Sequence, residues 1–405
     1  MVNRLGTRRL VSPGGRSVTG RRSRTGKRLR ARRLSQARRE GYQYGWEQGY
    51  RLGRCRAVEN SVRGIAPPVH PFRVMYITSG LGVPYAPLDQ IIAANLGQQV
   101  AELTVVRPYD DVLAAARQFR PQVAIALDGV QMFSPVMLEG LRNMGIRTAV
   151  WFVDDPYYTD STTTMAFQYD HVFTIELSCY RLYQDMGHKS VHYMPLGVEP
   201  QIYRPMQVPP KYLSDICFIG TAFWNRVQFF DAAEPMLRGK KLRIIGLWWD
   251  RMKNYRRLKS DIWLNQWLSP EETARYYNGA RIVVNLHRAS DDITYNRNSM
   301  GVPALSLNPR AFEITACGAF QLSDVREDMP RFLQPGGQIE TFTSMQEFVD
   351  KVQYYLANIE ARQMIAAAGY KRVLEEHTFR RRIADMLRII SESSGGRPAS
   401  QATSS

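Results

Sequence analysis

The 405-residue chain has little cysteine, and its four thiols, Cys55, Cys179, Cys217 and Cys317, lie far apart with no CxxC or Cys/His pairing. That argues against a disulfide framework and a zinc site, and it fits a reducing cytoplasm. No apolar run approaches the ~18 residues a membrane span needs, and the arginine-rich start has no apolar centre that could serve as a secretory signal. His188 and His192 lack the glutamate of an HExxH helix and read as structural. Acid is nearly missing from one stretch. Residues 1–56 hold 17 Arg and Lys against Glu40 and Glu47, whereas the other 349 residues set 37 basic against 35 acidic side chains. The net charge of +17 therefore belongs to an arm, and the arm carries no folded nucleic-acid reader motif.

What is present is enough apolar material, 44% of residues, for a sizeable core and more than one domain. From Met1 to about Arg39 the composition is Arg, Gly, Ser and Thr, which predicts disorder. A repeat follows with Gly41, Gly45, Gly49 and Gly53 four apart, and Tyr42, Trp46 and Tyr50 beside them. On a helix these form adjacent glycine and aromatic stripes that a close-packing partner could use. The whole of residues 1–68 reads as a basic, disordered arm, separate enough that a chain starting near Val69 is expected to keep its fold.

Beyond Pro67-Pro68, short apolar runs alternate with helical patterns, which predicts an α/β class with doubly wound sheets. Strands are expected at 72–77, 102–106, 122–127, 147–153, 171–175 and 191–194, forming a first Rossmann-like domain over 69–205. Five prolines between 195 and 210 mark a linker. A second such domain, 211–390, has strands expected at 215–219, 241–246, 281–286 and 319–322. Capping boxes at Ser269-Pro270-Glu271-Glu272 and Ser344-x-x-Glu347 mark two of its helices. Residues 391–405 form a polar tail.

Two such domains facing each other bring strand carboxyl ends and helix starts to one crevice, where phosphate-bearing ligands bind. The turn after the first strand offers Gly80 and Gly82 as an acceptor or phosphate loop. It lacks the third glycine of a dinucleotide fingerprint, and strand two runs into Arg107 rather than an acid, which argues against NAD. Asp154 and Asp155 end the fourth strand, where adjacent acids can orient a hydroxyl or share a proton; a solvated turn explains them equally. They are not a DxD, so metal-bridged diphosphate has little support. In the turn from Gly220 to Arg226, the arginine could clamp a phosphate, although a surface arginine at a helix start gives the same letters. His287 and Arg288 return two cationic groups to the same sheet edge. In Asn308-Pro309-Arg310-Ala311-Phe312-Glu313, a carboxylate in the first helical turn could accept from paired ribose hydroxyls, or merely favour the helix start.

The runs LNPRAFEITACGAFQLSD, SPEETARYYNGARIVVNLHR and WFVDDP, with the closing PGGQIETFTSMQEFVDKVQYYLAN, resemble the CgeB-like spore maturation glycosyltransferases, relatives of the retaining family 4 enzymes. The resemblance covers about residues 72–390 and implies a GT-B fold whose second domain holds a nucleotide-sugar and whose first receives the acceptor. It implies that Glu313 binds the nucleotide ribose and Arg226 the diphosphate; beside these, Gly220, Arg288, Asn308 and Arg310 are expected around the donor and Asp154, Asp155, Arg226 and His287 at the chemistry from their places at the strand ends and helix starts. Eight positions before Glu313, where the broader family has a glutamate at the donor sugar, stands Leu305. The implied reaction is metal-independent, retaining glycosyl transfer in spore surface or cell envelope glycosylation, with a nucleotide-sugar co-substrate and no cofactor. Its acceptor would be a glycan or protein, in the cytoplasm or at the forming spore surface. The alternative is a non-catalytic spore-surface interaction protein whose basic arm docks onto coat or crust proteins or an acidic polymer.

Overall fold

A computed structural model describes residues 19–62, 66–128 and 134–393, with the side chains of 19–27 and 40 left aside. The expectations for residues 1–18 and for the tail beyond 393 lie outside the described residues. One helix covers Thr19–Ser61; residues up to Tyr50 form one compact unit, and Arg51 onward belongs to a second. The helix replaces the expected disorder from residue 19. Its early part, RLRARRLSQARR, is made almost wholly of strong helix formers, and high charge did not outweigh that propensity. Within it Trp46 stacks on Tyr50 with ring centroids 5.4 Å apart, and a Cβ at Gly41, Gly45 or Gly49 would meet nothing within 4 Å.

The second unit holds two six-stranded parallel sheets. The first contains β1 (His70–Ile77), β2 (Val100–Val106), β3 (Val123–Leu127), β4 (Arg147–Phe152), β5 (His171–Thr174) and β6 (Val191–Tyr193), in the order β2-β1-β3-β4-β5-β6. The other contains β7 (Ser214–Ile219), β8 (Leu242–Gly246), β9 (Ile262–Leu264), β10 (Ala280–Asn285), β11 (Gln321–Asp324) and β12 (Glu340–Phe342), in the order β12-β11-β10-β7-β8-β9. Central strands such as β3 are buried at every residue, as expected where helices cover both faces. The three-residue edge strands β9 and β12 are too short for a periodic signal and were not expected. The expected helix starts hold: Ser269 Oγ accepts from the Glu272 N–H at 3.2 Å, and Ser344 Oγ from the Glu347 N–H at 3.2 Å. Among the described residues no helix is long and apolar enough to cross a membrane.

Three connections tie the two sheets together. The last helix, Phe379–Glu392, crosses back and inserts Phe379, Ile383, Met386, Leu387 and Ile390 into the core under the first sheet, beside Val74, Tyr76 and Trp151. Their spacing of three and four residues is one helical face. Second, the long excursion after β10 docks on the first half: Arg297 N–H donates to Tyr157 O at 2.7 Å and Ser299 Oγ to Asp160 Oδ1 at 2.6 Å, while Val302 is buried in the first half's core. Third, Glu176, which caps the helix after β5, takes the backbone N–H groups of Leu305 and Ser306 at 3.0 and 3.3 Å.

The end of the long helix is equally built in, which corrects the separation of residues 1–68 from the fold. Arg51 is buried, and its guanidinium donates to Asn278 Oδ1 (3.1 Å), Cys317 O (2.9 Å) and Met206 O (3.1 Å). Gly318 takes a left-handed φ of +59°, and a Cβ there would strike Cys55 Sγ. Glu59 accepts from the Tyr370 hydroxyl at 3.0 Å. A chain starting at Val69 is therefore expected to melt below the full-length protein, and Arg51→Ala to cost about 1.5–3 kcal/mol, the scale for hydrogen bonds from a charged group. Urea titration of both checks this; unchanged midpoints would show that residues 51–61 do not stabilise the fold.

Candidate active site

In both sheets the strand order reverses beside the first strand, and the carboxyl ends of the strands open into a shared cavity of about 450 Å³. Of the residues the sequence singles out, Asp154, Asp155, Gly220, Arg226, His287, Arg288, Asn308, Arg310 and Glu313 all line it. Gly80 and Gly82 do not. Their turn is closed on itself: Ser79 gives its N–H and hydroxyl to Asp89 (3.0 and 2.7 Å), the Leu81 N–H goes to Ser79 Oγ (3.2 Å), and the Gly82 carbonyl starts the next helix. Val83, Pro84 and Tyr85 face the cavity instead.

The cation cluster dominates the electrostatics. Arg226 is buried and gives Nε and Nη2 to Leu286 O (3.1 and 2.8 Å) and Nη1 to Thr221 O (2.9 Å). It is thus held by backbone carbonyls, with one N–H on each terminal nitrogen to spare. Burial, and then Arg310, pull its pKa down to about 9. Arg288 lies between the Tyr157 and Phe223 rings, 4.3 and 4.4 Å from their centroids, and its Nε is enclosed without a partner. Among the described residues none of Arg226, Arg288 and Arg310 forms an ion pair, and the neighbouring acid Asp324 is engaged by His287 and Arg326. Gly220 keeps this wall thin: a Cβ there would stand 3.3 Å from both Arg226 Nη1 and the Phe218 ring.

The carboxylates divide into free and committed. Glu313, half-buried in the first turn of the helix Arg310–Ala316, has its pKa raised by burial, with Arg310 and the Tyr203 hydroxyl opposing the shift. Asp154 accepts from the Tyr85 hydroxyl and is likewise raised by burial. Asp155 is different. Thr162, Thr174 and Tyr183 hydroxyls engage both its oxygens at 2.7–3.0 Å, so it braces the strand ends. Asn308 is paired amide to amide with Asn285 (2.9 and 3.0 Å) and caps Ala311 N–H at 3.2 Å, which leaves one Nδ2 N–H for a ligand. Among the described residues no group of three His, Cys, Asp or Glu side chains is placed to hold a metal ion.

The sequence reading missed Tyr85, Tyr157, Glu176 and Asp324. The last two sit at the carboxyl ends of β5 and β11, where an acid after an apolar run was the available signal.

Two parallel α/β sheets with a cationic cleft between them and a last helix that returns to the first half define a GT-B glycosyltransferase fold. Sucrose-phosphate synthase from Thermosynechococcus elongatus superposes with a TM-score of 0.56 at 12% identity, over 80% of this chain and all of that one. Anabaena HepE in complex with UDP and glucose gives 0.55 at 9% identity, over 79% of this chain and all of that one. A family model described as "Glycosyl transferase-like" matches residues 226–388. The spore protein CgeB of Bacillus subtilis (strain 168) is 30% identical over 311 residues, 76% of this chain and 95% of that protein, and the chain belongs to the CgeB family.

Glu176 generates a pH prediction. Burial pushes its pKa up to about 7, despite the N–H groups it accepts. A carboxyl whose folded pKa exceeds its unfolded one binds its proton more tightly in the fold, so stability falls as pH rises from about 4.5 to 7. Glu176→Gln should remove up to about 3 kcal/mol of that fall, since each pKa unit is ~1.4 kcal/mol. Urea unfolding of both proteins at pH 5 and 7.5 measures it; identical pH slopes would refute the assignment.

Proposed function

We propose that the protein transfers a glycosyl group from a nucleotide-sugar to an acceptor hydroxyl. The observation that carries this reading is the set of three arginines, Arg226, Arg288 and Arg310, gathered on one cavity and, among the described residues, none of them in an ion pair. A buried cation without a counter-charge is costly, and a diphosphate supplies that charge in the form guanidinium groups bind best. Its departure as a leaving group builds further negative charge, which fixed cations stabilise without reorganisation. They would do so without a divalent metal. Glu313 would accept from the ribose hydroxyls, and Asp154, held by Tyr85, would orient the acceptor hydroxyl. A retaining outcome is part of this proposal and rests on the resemblance to the family 4 enzymes rather than on any residue named here.

The HepE complex with UDP and glucose, in the same fold, supports a nucleotide-sugar donor. The CgeB relative is a spore protein, which supports a place for the reaction at the spore; that it glycosylates the spore surface from the cytoplasm, on a glycan or protein acceptor, is part of the proposal. The open glycine faces at Gly41, Gly45 and Gly49 favour a second role, in which the basic helix docks onto a coat component or acidic polymer.

Arg310 makes no hydrogen bond or ion pair among the described residues, so Arg310→Ala should leave the melting temperature of the free protein unchanged. It should weaken nucleoside diphosphate binding by about 1.5–3 kcal/mol, as should Glu313→Ala for the intact nucleotide. Thermal shift against a panel of nucleoside diphosphates and their sugars reads this directly. Transfer should persist in chelator; a strict divalent-metal requirement, or Arg310→Ala with full affinity, would count against the assignment.

A further inference from the structure

The arginine wall presents donors, yet one buried atom on it is of the opposite kind. His287 is 2% exposed and lines the cavity, and its Nε2 has no partner. Its Nδ1 lies 2.6 Å from Asp324 Oδ1. A carboxylate only accepts, so Nδ1 carries the proton and Nε2 keeps its lone pair unless the ring gains a second proton. Burial opposes that second proton, as do Arg326 and Arg226, while Asp324 favours it; the net effect lowers the His287 pKa and keeps the ring neutral.

Asp324 is itself held firmly. The His287 backbone N–H donates to both its oxygens at 3.1 and 3.3 Å, and Arg326 Nη2 stands 3.7 Å from Oδ2. Burial works against its charge, but His287 and Arg326 outweigh burial and hold its pKa below the ordinary value. The sheet explains the meeting: β10 and β11 are parallel neighbours with Asn285 opposite Ser323, so the residues just beyond, His287 and Asp324, emerge side by side at the cavity.

We propose that Asp324 is a positioning residue that fixes His287 as its Nδ1–H tautomer, so that His287 Nε2 accepts a hydrogen bond from a hydroxyl of the donor's glycosyl group. This rests on the nucleotide-sugar reading. A buried acceptor needs a donor from the ligand. An ionised diphosphate offers only acceptors, and the ribose hydroxyls are assigned to Glu313. Nucleobase N–H donors lie beyond the ribose, so beside the diphosphate the sugar hydroxyls are the nucleotide-sugar's remaining donors. A site built this way discriminates strongly against a sugar lacking that hydroxyl, because the acceptor is then left unpaired in a dry wall.

The test uses the full-length protein with 15N-labelled histidine. The His287 ring should show a protonated Nδ1 and an unprotonated Nε2, and Asp324→Asn, whose amide can also donate, should shift the proton toward Nε2. Calorimetric titration with UDP and UDP-glucose, GDP and GDP-mannose, and dTDP and dTDP-glucose then separates sugar from phosphate. For a pair that binds, His287→Ala should weaken the sugar nucleotide about five- to tenfold, the scale of one hydrogen bond, and the bare diphosphate less than twofold. Asp324→Asn should reproduce that split at an unchanged melting temperature. A loss shared equally by both ligands would mean that His287 serves the phosphates as a cation, and it would overturn the proposal while leaving the nucleotide-sugar reading intact. So would unchanged binding of both, or an Nε2–H tautomer in the wild type. Wild-type protein that binds none of the six would overturn the reading and the proposal together.

Discussion

Enclosing three guanidinium groups in one cleft without an ion pair to any of them would destabilise a fold that did nothing else for them, and much of the second half is arranged around that difficulty. Arg226 is held by the carbonyls at the ends of β10 and β7. Arg288 is clasped by one aromatic ring from each half, so its charge meets π faces where a counter-ion would otherwise sit. Both solutions satisfy geometry while leaving charge uncompensated. The neighbouring acid Asp324 is drawn aside by His287 and Arg326. The cleft is therefore prepared for an anion by the absence of internal pairing as much as by the presence of arginine.

Such a cleft works only if its walls hold their spacing, and the fold provides this with crossing contacts. The excursion after β10 supplies Tyr295 O to Arg288 and at the same time binds Tyr157 and Asp160 of the first half. Glu176 ties the start of one helix to the Leu305–Ser306 backbone, within the loop that leads to the helix of Glu313. The segment that carries Leu305 thus has its backbone fixed by a carboxylate from the opposite half. The same carboxylate lines the cavity, so positioning and site chemistry share one group.

What could be read from the letters alone divides along physical lines. Parallel sheets make the carboxyl end of every strand converge, so an arginine or histidine just after an apolar run, such as Arg226, His287 or Arg288, is placed in the cleft by topology alone. Glu313 followed from its place in a first helical turn. The failures depend on partners far away in sequence. Nothing near Asp155 announces the hydroxyls of Thr162, Thr174 and Tyr183 that bind it, and Gly80 and Gly82 look like a ligand loop until Asp89 is seen holding Ser79 and the cavity is seen to run past them. Asp324 gains meaning only from the register of β10 and β11. The arm was misread for a different cause: its composition suggested solvation, while Arg, Ala and Leu in sequence favour a helix, and the buried end of that helix depends on Arg51 finding three acceptors on the second half.

The return of the last helix bears on how the chain is made. Its apolar face completes the core under the first sheet, yet it is separated from that sheet by the whole second half. During vectorial synthesis the first sheet emerges with Val74, Tyr76 and Trp151 uncovered, and it must wait for about two hundred further residues before its cover leaves the ribosome. At the usual elongation rates that is an interval of ~10–40 s in which an apolar surface is exposed. The closing helix therefore also times the first half's maturation: a nascent chain stalled before Phe379 would present a chaperone client, and release of the finished chain is the event that lets the two halves become one molecule.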